Sequence, residues 1–226
     1  MFAGFPPEGL KFLRALARNN RREWFQPRKE TFENKVKAPM GELVEAVNAE
    51  LLQFAPAHIS DPKKAIYRIY RDTRFSADKT PYKTHIAAMF PRRGLDRHSG
   101  AGFYFHIAPK SVVIAMGAYM PGPDQLFAIR TWLSEHYREF QSASNGLRKL
   151  MGELQGDSLA RSPKGFDPNH PAVDLIRRKA WYFGTELEPE VAASPKLVTE
   201  IVKRFRAGAP VIEMLNAGLG KSASAQ

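Results

Sequence analysis

Leu10, Phe12, Leu13, Leu16 and Ala17 recur at helical spacing. They predict a helix over about 7–18 with one apolar side turned to a core. Pro7 suits its first turn, where the missing N–H costs nothing. The Asn19-Asn20 pair suits its end. Phe25, Phe32, Val36, Met40, Leu43, Val47 and Leu51 then step by seven, four, four, three, four and four residues. That is a single stripe on a 3.6-residue period, so 22–54 reads as helical. Pro39 lies mid-stretch and should kink or split it. A loop follows at 55–62.

The period then changes. AIYRIY (65–70), THIAAMF (84–90), GFYFHIA (102–108) and SVVIAMGAYM (111–120) are short, rich in aromatic or β-branched residues, and bounded by Pro, Gly or Lys. They predict about four antiparallel strands within 64–120. Pro109-Lys110 makes the last two a hairpin. The segment 91–101 reads as a basic loop. Helical spacing returns with Leu126, Ile129, Leu133 and Tyr137, which predicts a helix capped by Asp124 and ending near Tyr137. A second helix runs to about Leu154. After a turn-rich stretch at 156–171 and a short helix at 172–178, KAWYFG (179–184) can add a fifth strand. Ser194-Pro195 starts a helix with Leu197, Val198, Ile201, Val202 and Phe205 buried. A last short helix spans about 210–217. The expected fold class is α+β: a central antiparallel sheet flanked by helices from both ends of the chain. Residues 1–217 are expected to form one domain and 218–226 a disordered tail.

Composition narrows the function. The chain has 226 residues and no cysteine, so disulfides, thiolate metal sites and a Cys nucleophile are excluded. No run of about 18 apolar residues exists, so no membrane span is expected. The N-terminus has no basic stretch followed by an apolar core, so a cytoplasmic protein without a secretory leader is expected. Charge changes the picture more. Residues 63–98 carry ten basic and three acidic groups, against nine and eight in 1–62 and fifteen and twelve in 99–226. A local excess of this kind concentrates anions.

The excess centres on IYRIYRDTRFSADKTPYKTH (66–85). Here Arg68, Arg71, Arg74, Lys79 and Lys83 interleave with Tyr67, Tyr70, Phe75 and Tyr82, and Asp72 and Asp78 are the only acids. An Arg set among apolar neighbours needs a carboxylate, phosphate or carbonyl for its guanidinium fork. Five cations against two acids leave a demand that a small anionic ligand would meet. Arg68, Arg71 and Arg74 would clamp it, Lys79 and Lys83 would add charge, and Tyr82 would donate a hydroxyl hydrogen bond. Two other readings stay open: Arg–Asp pairs that only tie down a loop, and a single-stranded nucleic-acid surface with aromatic stacking.

The chain also carries NNRREWF (19–25), RIYRDTRFSADKTPYKTH (68–85), GFYFHIAP (102–109), the IR pair at 129–130 and PKGFDPNHP (163–171). On these motifs it resembles a family of conserved proteins built on a domain of unknown function, found in bacteria and fungi. The resemblance covers about 4–217. It implies that the central motif is the family's hallmark, and it implies no reaction.

Established chemistries leave little trace. No HExxH or i, i+4 histidine pair exists, and neither a P-loop nor a GxGxxG follows a strand. No GxSxG elbow exists. No cofactor is therefore indicated by motif, and no metal site is expected. His85 and His106 lie in predicted strands and can meet across a sheet, although His106 reads more simply as a core residue on the face of Tyr104. If the pocket turns over substrate as a hydrolase or transferase, Asp72, Asp78 and His85 are the acid–base candidates. Asn20 and Trp24 can line the same pocket, and Arg130 and Lys164 rank behind them. A purely structural or interaction role remains the plainest alternative. Nothing in the pattern specifies an oligomeric state.

Overall fold

The structure, a computed structural model, describes residues 2–95, 97–98 and 100–220. Helix α1 (Pro7–Arg18) buries Phe12, Leu13 and Leu16. The 22–54 stretch is one helical path of changing pitch: α2 (Arg22–Phe25), a 3-10 turn (Gln26–Arg28), α3 (Lys29–Phe32), a π turn (Glu33–Lys37) and α4 (Ala38–Phe54). The pitch changes beside Pro27 and Pro39, which cannot donate to the preceding turn. The predicted stripe survives these changes, and Phe25, Phe32, Val36, Met40, Leu43, Val47 and Leu51 are all buried. A one-turn helix α5 (Pro62–Ala65) follows, with the Asp61 carboxylate accepting from the Lys63 N–H at 2.8 Å.

Strands β1 (Ile86–Phe90), β2 (Gly102–Ile107), β3 (Val112–Ala118) and β4 (Trp181–Leu187) form one antiparallel sheet in that order. The β2–β3 hairpin pairs Ile107 with Val112 across the Pro109-Lys110 turn. The sheet has four strands, not five, because 65–70 is not a strand. It makes only the isolated bridges Ile66–Ala88 and Tyr70–Tyr82. The chain doubles back at 72–80, so the Lys83 N–H donates to Ile69 O and the Arg71 N–H to Pro81 O. Residues 69–71 therefore bond to 81–83 instead of continuing along β1.

Helix α6 (Pro123–Met151) is two helices joined across a kink at His136 (φ −121°, ψ 22°), beside the Tyr137 end expected for the first of them. Its N-cap is Gly122, without a side-chain cap bond, so Asp124 sits inside the first turn. After the short α7 (Val173–Ile176) and β4, Ser194 Oγ accepts from the Lys196 N–H at 3.2 Å and starts α8 (Lys196–Gly220). This helix runs through Pro210 and absorbs the separate helix expected at 210–217. Residues 218–220 are its last turn, and residues 221–226 of the expected tail lie outside the described residues. No helix among the described residues is long and apolar enough to cross a membrane.

Alternation along the strands divides the sheet into two faces. Phe90, Phe103, Phe105, Ile107, Ile114, Met116, Trp181 and Phe183 lie on the covered face, almost wholly buried. Helix α8 packs on β2 and β3, and α4 and α6 pack on α8. Phe205 of α8 anchors this layer, 4.7 Å from the Phe103 ring and 6.0 Å from that of Phe90. Burying each such ring contributes roughly 1.5–3 kcal/mol. The other face carries His85, Ala87, Met89, Tyr104, His106, Ala115, Gly117 and Tyr182.

Gly117 holds that face open where β3 meets β4. Its φ is +138°, and a Cβ would lie 2.1 Å from Trp181 O. Gly117→Ala combines left-handed strain with a backbone clash, and is expected to cost about 1–3 kcal/mol. Denaturant unfolding checks this, and an unchanged midpoint would contradict it.

Candidate functional site

The open face forms a cavity of about 400 Å³. Its shape follows from side-chain size. Ala87, Gly102, Ala115 and Gly117 make a low floor, while Tyr67, Tyr104, Tyr119 and Tyr182 stand as walls. Gly102 pairs with Gly117 across β2–β3 and Tyr104 with Ala115, so small residues sit side by side. Tyr119 meets Tyr182 edge to face at 5.0 Å. The segment before β1 crosses the other end, where Tyr67 is tied down by its N–H to Ala87 O at 2.9 Å and its hydroxyl to Met89 Sδ at 3.2 Å.

Polar groups gather on one side of the cavity. The Tyr104 hydroxyl and His106 Nδ1 share a hydrogen bond at 3.0 Å. The His85 ring lies 4.6 Å from the His106 ring, so the two histidines do meet across the β1 edge of the sheet. At the mouth, Lys83 Nζ sits 4.8 Å from the Tyr67 ring centre, and the Arg97 guanidinium, outside the cavity lining, lies 4.4 Å from the same ring. Both are within cation–π range of one ring. Arg97 also donates to Ala65 O at 3.3 Å.

Burial sets the ionisation of this group. It lowers His106 to about 4, with the His85 ring adding to the effect. It lowers His85 too, helped by Lys83. It raises the Tyr104 and Tyr67 hydroxyls. It lowers Lys83, and Arg68 and Arg97 lower it further. At neutral pH the cavity thus presents neutral imidazoles and phenols behind a cationic mouth. No carboxylate lines it among the described residues.

This ionisation has a stability consequence. The unfolded histidines titrate near pH 6.5. Between pH 6.5 and about 4 the unfolded chain binds protons that folded His106 refuses. Stability therefore falls as pH drops through that window. His106→Gln removes one titrating group and should flatten the acid limb of Tm against pH. An acid limb as steep as that of the parent protein would contradict the assignment.

The central motif divides between two places. Lys83 and His85 line the cavity. The 72–80 loop instead closes on itself. Arg71 bonds to Asp78, Thr80 and Ser76. Arg74 makes a two-pronged pair with Asp72, Nε at 3.0 Å and Nη2 at 2.8 Å. Lys79 Nζ donates to Thr73 O at 2.9 Å. Phe75 stands 94% exposed at the tip. The hydrogen bonds from Arg74 hold Asp72 down to about 2, and those from the Thr80 backbone and Arg71 hold Asp78 there. Both acids are ion-pair partners and neither lines the cavity. Asp72→Asn is expected to leave Tm unchanged at neutral pH, because exposed pairs contribute little. A clear loss of Tm would contradict that reading. Arg68 is exposed beside Lys83, with no hydrogen bond to a described residue.

The remaining candidates are structural in their placement. Tyr82 is 1% exposed and stacks on Phe25 at 4.1 Å. Asn20 clamps the Tyr82 backbone from both sides, donating to Tyr82 O at 2.8 Å and accepting from its N–H at 3.1 Å. Asn20 therefore joins the 19–25 and 68–85 motifs without lining the cavity. Trp24 packs beside Phe12 with the Arg28 guanidinium 4.7 Å over its ring. Arg130 is buried in α6 and donates to Arg178 O at 2.9 Å. Lys164 is exposed on its loop. Among the described residues no three His, Asp or Glu side chains come together as a metal cage.

The sequence pattern does not bring Tyr67, His98, Tyr104, Tyr119 and Tyr182 into one site, as the cavity does. The usable signal was alternation: Tyr104 and His106 share a face with small partners on both neighbouring strands. No curated protein matches the chain. Residues 8–214 match the model of the conserved hypothetical protein family DUF2461. With nearly its whole length matched, the chain belongs to that family.

Proposed function

We propose that the protein binds a small anion with an aromatic or apolar body in the open-face cavity. The anionic end would lie at Lys83 and Arg97, and the body would pack against Tyr104, Tyr119, Tyr182 and the Ala and Gly floor. One observation carries this reading: Lys83 is the one charged group in an otherwise uncharged lining among the described residues, and Arg97 stands beside it on the same Tyr67 ring. An apolar cavity with a few convergent polar groups is the usual form of a small-molecule site. The neutral His106–Tyr104 pair supplies hydrogen bonding inside it. This places the anion contact at the end of the central motif, with the loop arginines holding the loop. The cytoplasm is the compartment this reading takes.

Thermal unfolding against phenyl phosphate, benzoate, inorganic phosphate, benzyl alcohol and a short single-stranded DNA, each at low and high salt, tests it. A ligand at 100 times its Kd adds about 2.7 kcal/mol. An aromatic anion should raise Tm, and the rise should survive salt. Benzyl alcohol should do little. A rise with DNA alone, lost in salt, would replace the proposal with a nucleic-acid module.

Turnover is the second reading. It is favoured by the position of His85, the one proposed acid–base residue that lines the cavity. A neutral imidazole beside a cation is a competent general base. Hydrolysis of an aryl phosphate or ester that disappears in His85→Asn would establish it. Binding without turnover would leave a ligand-binding protein.

A further inference from the structure

Lys83 differs from an ordinary surface lysine in three ways. Its ammonium lies over the Tyr67 ring at the mouth of the cavity. It makes no ion pair or hydrogen bond with a described residue, whereas Lys79 in the same motif donates to a carbonyl. Among the described residues its close charged neighbours, Arg68 and Arg97, are both cations. Three neutral imidazoles, His85, His98 and His106, line the same cavity. Partial burial beside cations is how a lysine amine becomes a nucleophile near neutral pH.

We infer that Lys83 is an imine-forming lysine, and that the ligand of the cavity is an oxo acid whose carbonyl carbon its Nζ attacks. The inference rests on the cavity being the ligand site and adds the class of ligand. Arg97 would take the carboxylate, as a guanidinium fork does. The aromatic walls would take the rest of the molecule.

The step balances without a co-reactant. The ammonium gives up a proton, with His85 or water as acceptor. The amine lone pair forms the C–N bond, and the carbonyl π pair moves to oxygen, which takes the second proton from the nitrogen. The resulting carbinolamine is protonated on its hydroxyl and loses water as the C=N bond forms. One ammonium and one carbonyl thus become one protonated imine and one water. No oxidant, reductant or metal is used. Burial, followed by Arg68 and Arg97, lowers Lys83 and so raises the fraction of free amine available to attack.

The test pairs two acids of nearly the same shape. Phenylpyruvate carries the carbonyl, and 3-phenyllactate carries a hydroxyl in its place. The full chain is incubated with each at neutral pH in the presence of cyanoborohydride, which reduces an imine to a stable secondary amine. Intact mass and peptide mapping locate the adduct. Phenylpyruvate should label Lys83 at least about tenfold faster than the exposed Lys110, and 3-phenyllactate should slow that labelling without leaving an adduct. Lys83→Arg should lose the fast label with phenylpyruvate. Arg97→Gln should weaken binding of both acids.

The two levels of the account fail differently. If both acids raise Tm but Lys83 is labelled no faster than Lys110, the imine is overturned and the binding reading stands. If neither acid raises Tm and no fast label appears, both fall. Fast labelling that persists in Lys83→Arg would assign the chemistry to another amine and overturn the inference.

Discussion

Phe25→Ala is expected to destabilise the protein by about 3–5 kcal/mol, the cost of removing a fully packed aromatic ring. Phe25 is 1% exposed and touches rings from both halves of the N-terminal region. Phe12 lies at 6.0 Å, Phe32 at 5.5 Å, Tyr70 at 6.4 Å, and Tyr82 stacks on it at 4.1 Å. The ring therefore cements α1 and α2 to the segment that carries Lys83 and His85. For a chain of this size the loss is a fall in Tm of roughly 6–20 °C. Asn20→Ala acts on the same joint through the backbone, because it leaves the Tyr82 N–H and C=O without their partner. Urea unfolding measures the first effect directly. A Phe25→Ala midpoint close to that of the parent protein would mean that this aromatic junction contributes little.

Ala115→Trp is expected to abolish binding of small aromatic anions, with affinity falling at least about a hundredfold, or roughly 2.8 kcal/mol. Ala115 pairs with Tyr104 on one side and Gly184 on the other. A Cβ at Gly184 would lie 3.8 Å from the Ala115 Cβ, so the floor is low on the β4 side, opposite the Tyr104 wall. An indole raised from that floor fills much of a 400 Å³ cavity. It removes none of the cations at the mouth, so it separates cavity binding from general attraction to a basic surface. The side chain enters empty space on the open face, away from the Phe205 layer, and folding should persist. Calorimetric titration of phenyl phosphate checks the effect. Equal affinity in the parent and in Ala115→Trp would place the ligand elsewhere.

Much of the fold was legible because burial leaves a periodic trace. The stripe from Phe25 to Leu51 held through a 3-10 turn and a π turn, since small changes in pitch do not move a side chain to another face. The β2–β3 hairpin was legible from its turn. The segment 65–70 was not, because alternating apolar and charged residues report exposure and say nothing about which strand accepts the N–H. Its start bonds to β1 through the Tyr67 N–H and Ala87 O, and its end turns to 81–83, a choice made by the folding back of the 72–80 loop. The site was legible only at its edge. Lys83 and His85 belong to the motif that stood out, but the floor is made of alanine and glycine. Small residues carry almost no pattern, and here they leave a cavity. The excess of cations in 66–85 also overstated the demand for a ligand. Arg71 and Arg74 each found an aspartate within seven residues, a pairing that depends on loop geometry.

The most direct test follows the histidine ring nuclei by NMR while the protein is titrated with benzoate and, in parallel, with benzyl alcohol. The account predicts that benzoate moves the His85 and His106 ring signals together in a saturable titration, and that benzyl alcohol moves them far less. Movement confined to the 71–79 loop, or His85 and His106 signals unchanged at saturating benzoate, would contradict it.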